Sequence, residues 1–266
     1  MIATVSGISA VIFYLLGTFF QSQNINSTHY KRSRVLVCGL IAVLAHLISV
    51  AEVINTPAGY DFGFFKITTM FSCAISILVL LSSLKKPLEN LFLALFPLSI
   101  LSILCSLSLP SAYTPHAHYT NGVALHILLA ILAVSTITIG AFQAIFIAFQ
   151  NRQLKHKQSF SLLSHLPPLQ TMEALLFEIV WIGLLLLTGV IVTGMLFMDD
   201  FFAQRLPHKT VLSIISWFVF AILLWGRHQL GWRGNTAIRW TLTGFAFLVL
   251  AYFGSKFVLE LVLERA

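Results

Sequence analysis

Ionisable side chains inside long apolar runs are where this sequence could do chemistry, because such groups are costly at membrane depth. His46 sits among Leu44, Ala45 and Leu47, and His126 follows Leu125 near the start of another apolar run. A neutral imidazole offers one nitrogen to haem iron while a hydrogen bond holds the other, so two histidines from different helices could clamp a haem. The plainer role for either is a hydrogen bond to a backbone carbonyl or a serine that ties two helices together. Residue type alone leaves both roles open.

Other candidates are weaker. His116 and His118 form an H-x-H pair, and in extended chain such positions share a face that could bind a metal. With only two local ligands, and His208 in a separate loop, exposed loop histidines are the simpler account. Glu52, Glu173 and Glu178 lie within apolar runs. Glu173 is expected to start its helix, where the dipole favours a carboxylate. Glu178 is expected to be paired, protonated or facing a cavity, since an isolated buried charge is expensive. Lys256 is expected to snorkel outward or to pair with an anionic group such as a haem propionate. Cys38, Cys73 and Cys105 are far apart in apolar runs, with no CxxC and no CxxCH, so thiol chemistry and covalent haem attachment are not expected. No Walker A, HExxH or GxSxG motif occurs, and nothing argues for an enzyme.

The elements that must position these groups are membrane helices. Of 266 residues, 58% are apolar and 9% charged, with a mean hydropathy of +0.91. Soluble domains carry about 25% charged residues, so lipid must solvate this chain. A span needs about 20 mostly apolar residues. Eight such stretches are expected, at Ile2–Phe20, Val35–Asn55, Phe62–Leu84, Leu88–Leu109, Gly122–Phe149, Glu173–Phe197, Thr210–Trp225 and Trp240–Leu263. The stretches form a single integral membrane domain over residues 1–266, all-α and polytopic. The connections carry the breakers: Asn55–Gly59, Lys85-Lys86-Pro87, Pro110–Asn121, Pro167-Pro168, Pro207 and Gly226–Asn235. Ser159–Leu166 reads as a short amphipathic piece at the inner interface.

Eleven of the 16 Lys and Arg fall in one set of alternate connections: Lys31, Arg32, Arg34, Lys85, Lys86, Arg152, Lys155, Lys157, Arg227, Arg233 and Arg239. The positive-inside bias puts that set in the cytoplasm and both termini on the outer, periplasmic side. The first apolar run has no basic segment ahead of it and does not read as a cleaved signal peptide. The net charge of +7 is dispersed among these clusters, which suits lipid headgroups and not nucleic acid.

Toward the C-terminus the residues become specific. Thr210–Trp217, Trp225-Gly226, Gly231-Trp232-Arg233-Gly234 and Ala251-Tyr252-Phe253-Gly254-Ser255-Lys256 together resemble the cytochrome c assembly family. The Gly-Trp-Arg-Gly loop followed by a helix with Tyr-Phe-Gly is the most distinctive part. The sequence is similar to the YpjD/HemX-like branch of bacterial inner-membrane proteins, and Pro167-Pro168, Thr193-Gly194 and Leu125-His126 fit the same group. The resemblance implies an eight-helix haem-handling protein of the bacterial inner membrane. Its possible partners are other membrane proteins of haem handling or cytochrome c maturation. It also implies that His126 matches a family haem ligand, and that His46 matches a histidine of this branch.

Three departures limit what the resemblance implies. Haem-delivery members carry a tryptophan-rich outer segment of the form WGxxWxWDPKET, whereas Met198–Thr210 here contains no tryptophan. Trp225 replaces a family histidine, and the chain ends where longer members place another. Haem binding without full lyase activity is therefore the expectation, with His126 and His46 as cofactor-binding residues. The alternatives are a scaffold or regulator that has lost haem, and a small-solute or ion transporter built on Glu178 and Glu52.

Overall fold

The computed structural model describes residues 1–26, 31–109, 119–155, 167–197 and 207–257. Eight helices are long and apolar enough to cross a membrane, and the chain is a multi-pass membrane protein. They are α1 (Ile2–Asn26), α2 (Arg32–Ile54), α3 (Phe64–Ser83), α4 (Phe92–Ser108), α5 (Asn121–Lys155), α6 (Leu169–Phe197), α7 (Pro207–Gln229) and α8 (Asn235–Val249). A 3-10 turn, Glu89–Leu91, leads into α4. A π-helical turn, Leu250–Gly254, continues α8 into a short α9 (Ser255–Phe257).

Every expected span is present, and most helices outrun the apolar stretch that announced them. Sequence reading stops where lipid stops, but backbone hydrogen bonds continue into the interface wherever no breaker intervenes. α5 shows the excess most clearly. Its 35 residues make a rod of about 52 Å at 1.5 Å per residue, against a hydrocarbon core of about 30 Å. Pro207 marks a helix start, as the first residue of α7, where a missing N–H costs nothing. The turn after α2 is a minimal hairpin, β1 (Asn55–Thr56) with β2 (Gly59–Tyr60), in which Thr56 faces Gly59. Gly59 takes φ 122°, a conformation that side chains rarely adopt.

The helices gather into two compact units, one holding α1–α4 and the other α5–α9. In the first, α1 packs on α2 and α4, and α3 packs on the same two. Its interior mixes aromatic and hydroxyl side chains. Phe96 stacks on Phe92 at 4.6 Å and leans on Tyr14 at 4.9 Å. Gly17 and Gly39 admit that ring: a Cβ on either would lie 2.9 Å and 3.2 Å from Phe96. In the second unit α5 and α6 form the long pair, α7 packs on α6 and α8, and α8 returns to α5. Close approaches recur here too, with a Cβ on Gly183 or Gly244 falling 2.7 Å from Ile137 or Phe220. Small residues at such crossings are how membrane helices gain packing without a hydrophobic drive between them.

Candidate functional site

His126 lies five residues into α5, half-buried, and faces α6. Its Nδ1 is 3.1 Å from Thr193 Oγ1. The Thr193 hydroxyl reaches the carbonyl oxygens of Gly189 at 2.7 Å and Val190 at 3.2 Å. A hydroxyl has one proton. Since a carbonyl can only accept, that proton goes to the α6 backbone and Thr193 Oγ1 accepts from His126 Nδ1–H. In the neutral ring that tautomer carries its lone pair on Nε2. An imidazole anchored through one nitrogen, with the other free to donate electrons, is the form that ligates iron.

His46 is placed on different terms. It is completely enclosed within the α1–α4 unit, and both ring nitrogens have partners. Nδ1 is 3.2 Å from Tyr14 Oη on α1, and Nε2 is 2.9 Å from Thr69 Oγ1 on α3. Around them runs a ladder of buried hydroxyls joining α3 to α4. Ser72 bonds Ser102, and Ser76 bonds Ser99 at 2.9 Å. Ser49 on α2 donates to the carbonyl of Ala3 on α1 at 3.0 Å. His46 thus ties three helices through side chains.

The two candidate histidines belong to separate units, and each has its partners within its own. His116 and His118, and the side chain of His208, lie outside the described residues, as do Ser159–Leu166 and residues 198–206. Among the described residues no group of three or more His, Cys, Asp or Glu side chains is arranged to hold a metal ion.

Among the acidic residues, Glu173 departs from expectation. Glu178 and Glu52 are exposed on α6 and α2, and Glu178 has an interaction partner. Glu173 does not start its helix: α6 begins at Leu169, and the Glu173 carboxylate serves a different one. Its Oε1 accepts a 2.9 Å hydrogen bond from the backbone N–H of Gly234, the residue that caps α8. A carboxylate there also meets the positive end of the α8 dipole. Lys256 is half-buried on α9 and has an interaction partner, and Trp225 is 58% exposed on α7.

That carboxylate completes a latch around the Gly-Trp-Arg-Gly loop. Gly231 and Gly234 take φ of 65° and 54°, which fold the loop back. The Trp232 ring lies against Gly226, where a Cβ would be 2.4 Å from it, and stacks beside Trp240 at 5.3 Å. Arg227 donates to the Trp232 carbonyl at 3.3 Å while its guanidinium lies 4.6 Å over the Phe177 ring. The Gly-Trp-Arg-Gly loop is thus part of one closure joining the starts of α6 and α8.

The pairing of Thr193, Tyr14 and Thr69 with the histidines is not legible in the sequence. One signal was available. Thr69, Ser72 and Ser76 on α3, and Ser99, Ser102 and Ser106 on α4, recur at helical spacing inside apolar runs, the mark of an interhelical polar seam.

Comparison with known proteins bears on both units. Residues 35–263 match the family described as Cytochrome C assembly protein. The Inner membrane protein YpjD of Escherichia coli K12 is 29% identical over 233 residues, covering 87% of this chain and 88% of that one. A 28.8 kDa protein encoded in the nifR3-like 5' region of Azospirillum brasilense is 32% identical over 141 residues, 52% of each chain. The Cytochrome c biogenesis protein CcsA of Gloeobacter violaceus is 26% identical over 93 residues, 34% of this chain and 28% of its own. No solved structure matches. With the family match running from α2 past α9, the chain belongs to the cytochrome c assembly family.

Proposed function

We propose that the chain is a haem-binding protein of the bacterial inner membrane, acting in haem handling for cytochrome c assembly, with His126 Nε2 as the iron ligand. The observation that carries this reading is the Thr193 hydrogen bond, which leaves the Nε2 lone pair available on a half-buried ring. Family membership supports the haem-related role, and the name of the E. coli relative supports the inner membrane. With the basic connections facing the cytoplasm, His126 lies toward the outer face of the membrane, where haem destined for cytochrome c is needed.

Bound haem would supply an iron centre able to change oxidation state. The chain's own part is to orient His126 through Thr193. His46 fits that role less well, because ligation through Nε2 would break its bond to Thr69; we assign it to holding α1, α2 and α3 together. Full lyase activity lies outside the proposal. Met198–Thr210 has no tryptophan, and Trp225, at the position of a family histidine, is exposed and has no ligating nitrogen.

A scaffold or regulator without haem is the competing reading, favoured by the same two departures. Absorption spectroscopy of the detergent-purified protein after haem addition separates the two. A Soret band is expected in the wild type and its loss in His126→Ala, with partial recovery on adding imidazole. A wild type without a Soret band, or an unchanged band in His126→Ala, overturns the proposal.

A further inference from the structure

The α1–α4 unit carries a second feature, remote in sequence from His126, at the end where α2 begins. Phe20, Ser33, Arg34, Val37 and Cys38 line an open groove of about 370 Å³ between α1 and α2. The Arg34 guanidinium stands 6.0 Å from the centre of the Phe20 ring. On the same two helices Phe19, Val37 and Leu40 are each at least half exposed, as residues on a lipid-facing flank are. The groove is therefore polar and cationic at its mouth and apolar along its length.

The charge at this end is unbalanced. Arg32 reaches the Ser83 carbonyl and pairs with Glu89 at 2.6 Å, which brings the α2 start beside the Lys85-Lys86 turn. Among the described residues Glu89 is the carboxylate of this end, and Arg32 occupies it. Lys31, Arg34 and Lys85 remain in excess of it. An occupant must then be anionic at one end and hydrocarbon at the other. A free anion would leave the apolar length uncovered, and a neutral lipid would leave the cations unmatched.

We propose that this groove seats an anionic phospholipid, its phosphate at Ser33 and Arg34 and an acyl chain along Phe20, Val37 and Cys38. The juxtaposition of an uncompensated arginine with an apolar channel on a lipid-facing flank is what selects that class of ligand. The site is independent of haem binding.

Native mass spectrometry of the full chain released from neutral detergent tests this, with phosphatidylglycerol and phosphatidylcholine of identical acyl chains. The wild type is expected to retain phosphatidylglycerol preferentially. Arg34→Gln should cut that retention about fivefold, the value of about one surface cation. Val37→Trp, which fills the groove without changing charge, should reduce it as well, while Lys85→Gln should leave it within about twofold. Equal retention of both lipids, an equal effect of Lys85→Gln and Arg34→Gln, or displacement by inorganic phosphate overturns the proposal. Unfolding temperature checks each variant, and if Arg34→Gln does not fold, Val37→Trp decides.

Discussion

The two units each hold one of the candidate histidines, His46 and His126, and they treat it oppositely. In the α1–α4 unit His46 is wholly enclosed and spends both nitrogens on Tyr14 and Thr69, inside a seam of serines. In the α5–α9 unit His126 spends one nitrogen on Thr193 and lies half-buried near a helix end. What differs is whether the environment uses up the ring's bonding capacity. A histidine with two fixed partners contributes cohesion; one with a single fixed partner keeps a lone pair for a ligand. Accounting for each nitrogen in turn, and not depth in the membrane, distinguishes the two.

The contrast predicts a crossed pattern of mutant effects. The largest is at His126: His126→Ala should abolish the Soret band of the haem-loaded protein, while His46→Ala should leave it in place. If His46→Ala removes the band as well, the contrast fails. Next comes Thr193. Outer partners of metal ligands typically contribute 10–100-fold in affinity, so Thr193→Val should weaken haem binding by about that factor, measured by haem titration, and Thr193→Ser should restore it. An unchanged affinity in Thr193→Val would mean that the ring is not held by that hydroxyl.

Smaller effects belong to the other unit. His46→Ala leaves Tyr14 and Thr69 without their shared partner, at about 1–3 kcal/mol for a stranded buried group. The result should be a lower unfolding temperature in detergent, a drop that His126→Ala does not produce. The smallest effect is in the seam, where Ser99→Ala should cost about 0.6 kcal/mol, the average for an interhelical hydrogen bond in a membrane protein. A Ser99→Ala protein as unstable as His46→Ala would show that the seam, not the histidine, holds the unit.

Much of the architecture was legible before any coordinates. Uninterrupted apolar runs and breaker-rich connections located eight helices, because in lipid a backbone has few other ways to satisfy its polar groups. The loop containing Trp232 was legible as a family feature. Its mechanism was not, because Glu173 and Gly234 are 61 residues apart and no local pattern links them. Helix ends were misread for a related reason: Pro207 and the residues from Leu169 to Met172 are poor markers of lipid but acceptable in a helix. His46 and His126 looked alike because a linear sequence shows the apolar neighbours of a residue and not the hydroxyls delivered by other helices. The positions of Glu52 and Glu178 depended on which helix face turns outward, and long runs apolar on all sides carry little information about that.

The bond from Gly234 to Glu173 also sets an order of events during synthesis. α6 emerges from the ribosome well before the start of α8, so for that interval its carboxylate has no partner and must stay hydrated at the membrane surface. In the finished protein Glu173 is only 8% exposed. Arrival of the last hairpin is therefore the step that lets this charge leave water, and a nascent chain stalled before Gly234 would be held with the head of α6 still at the interface.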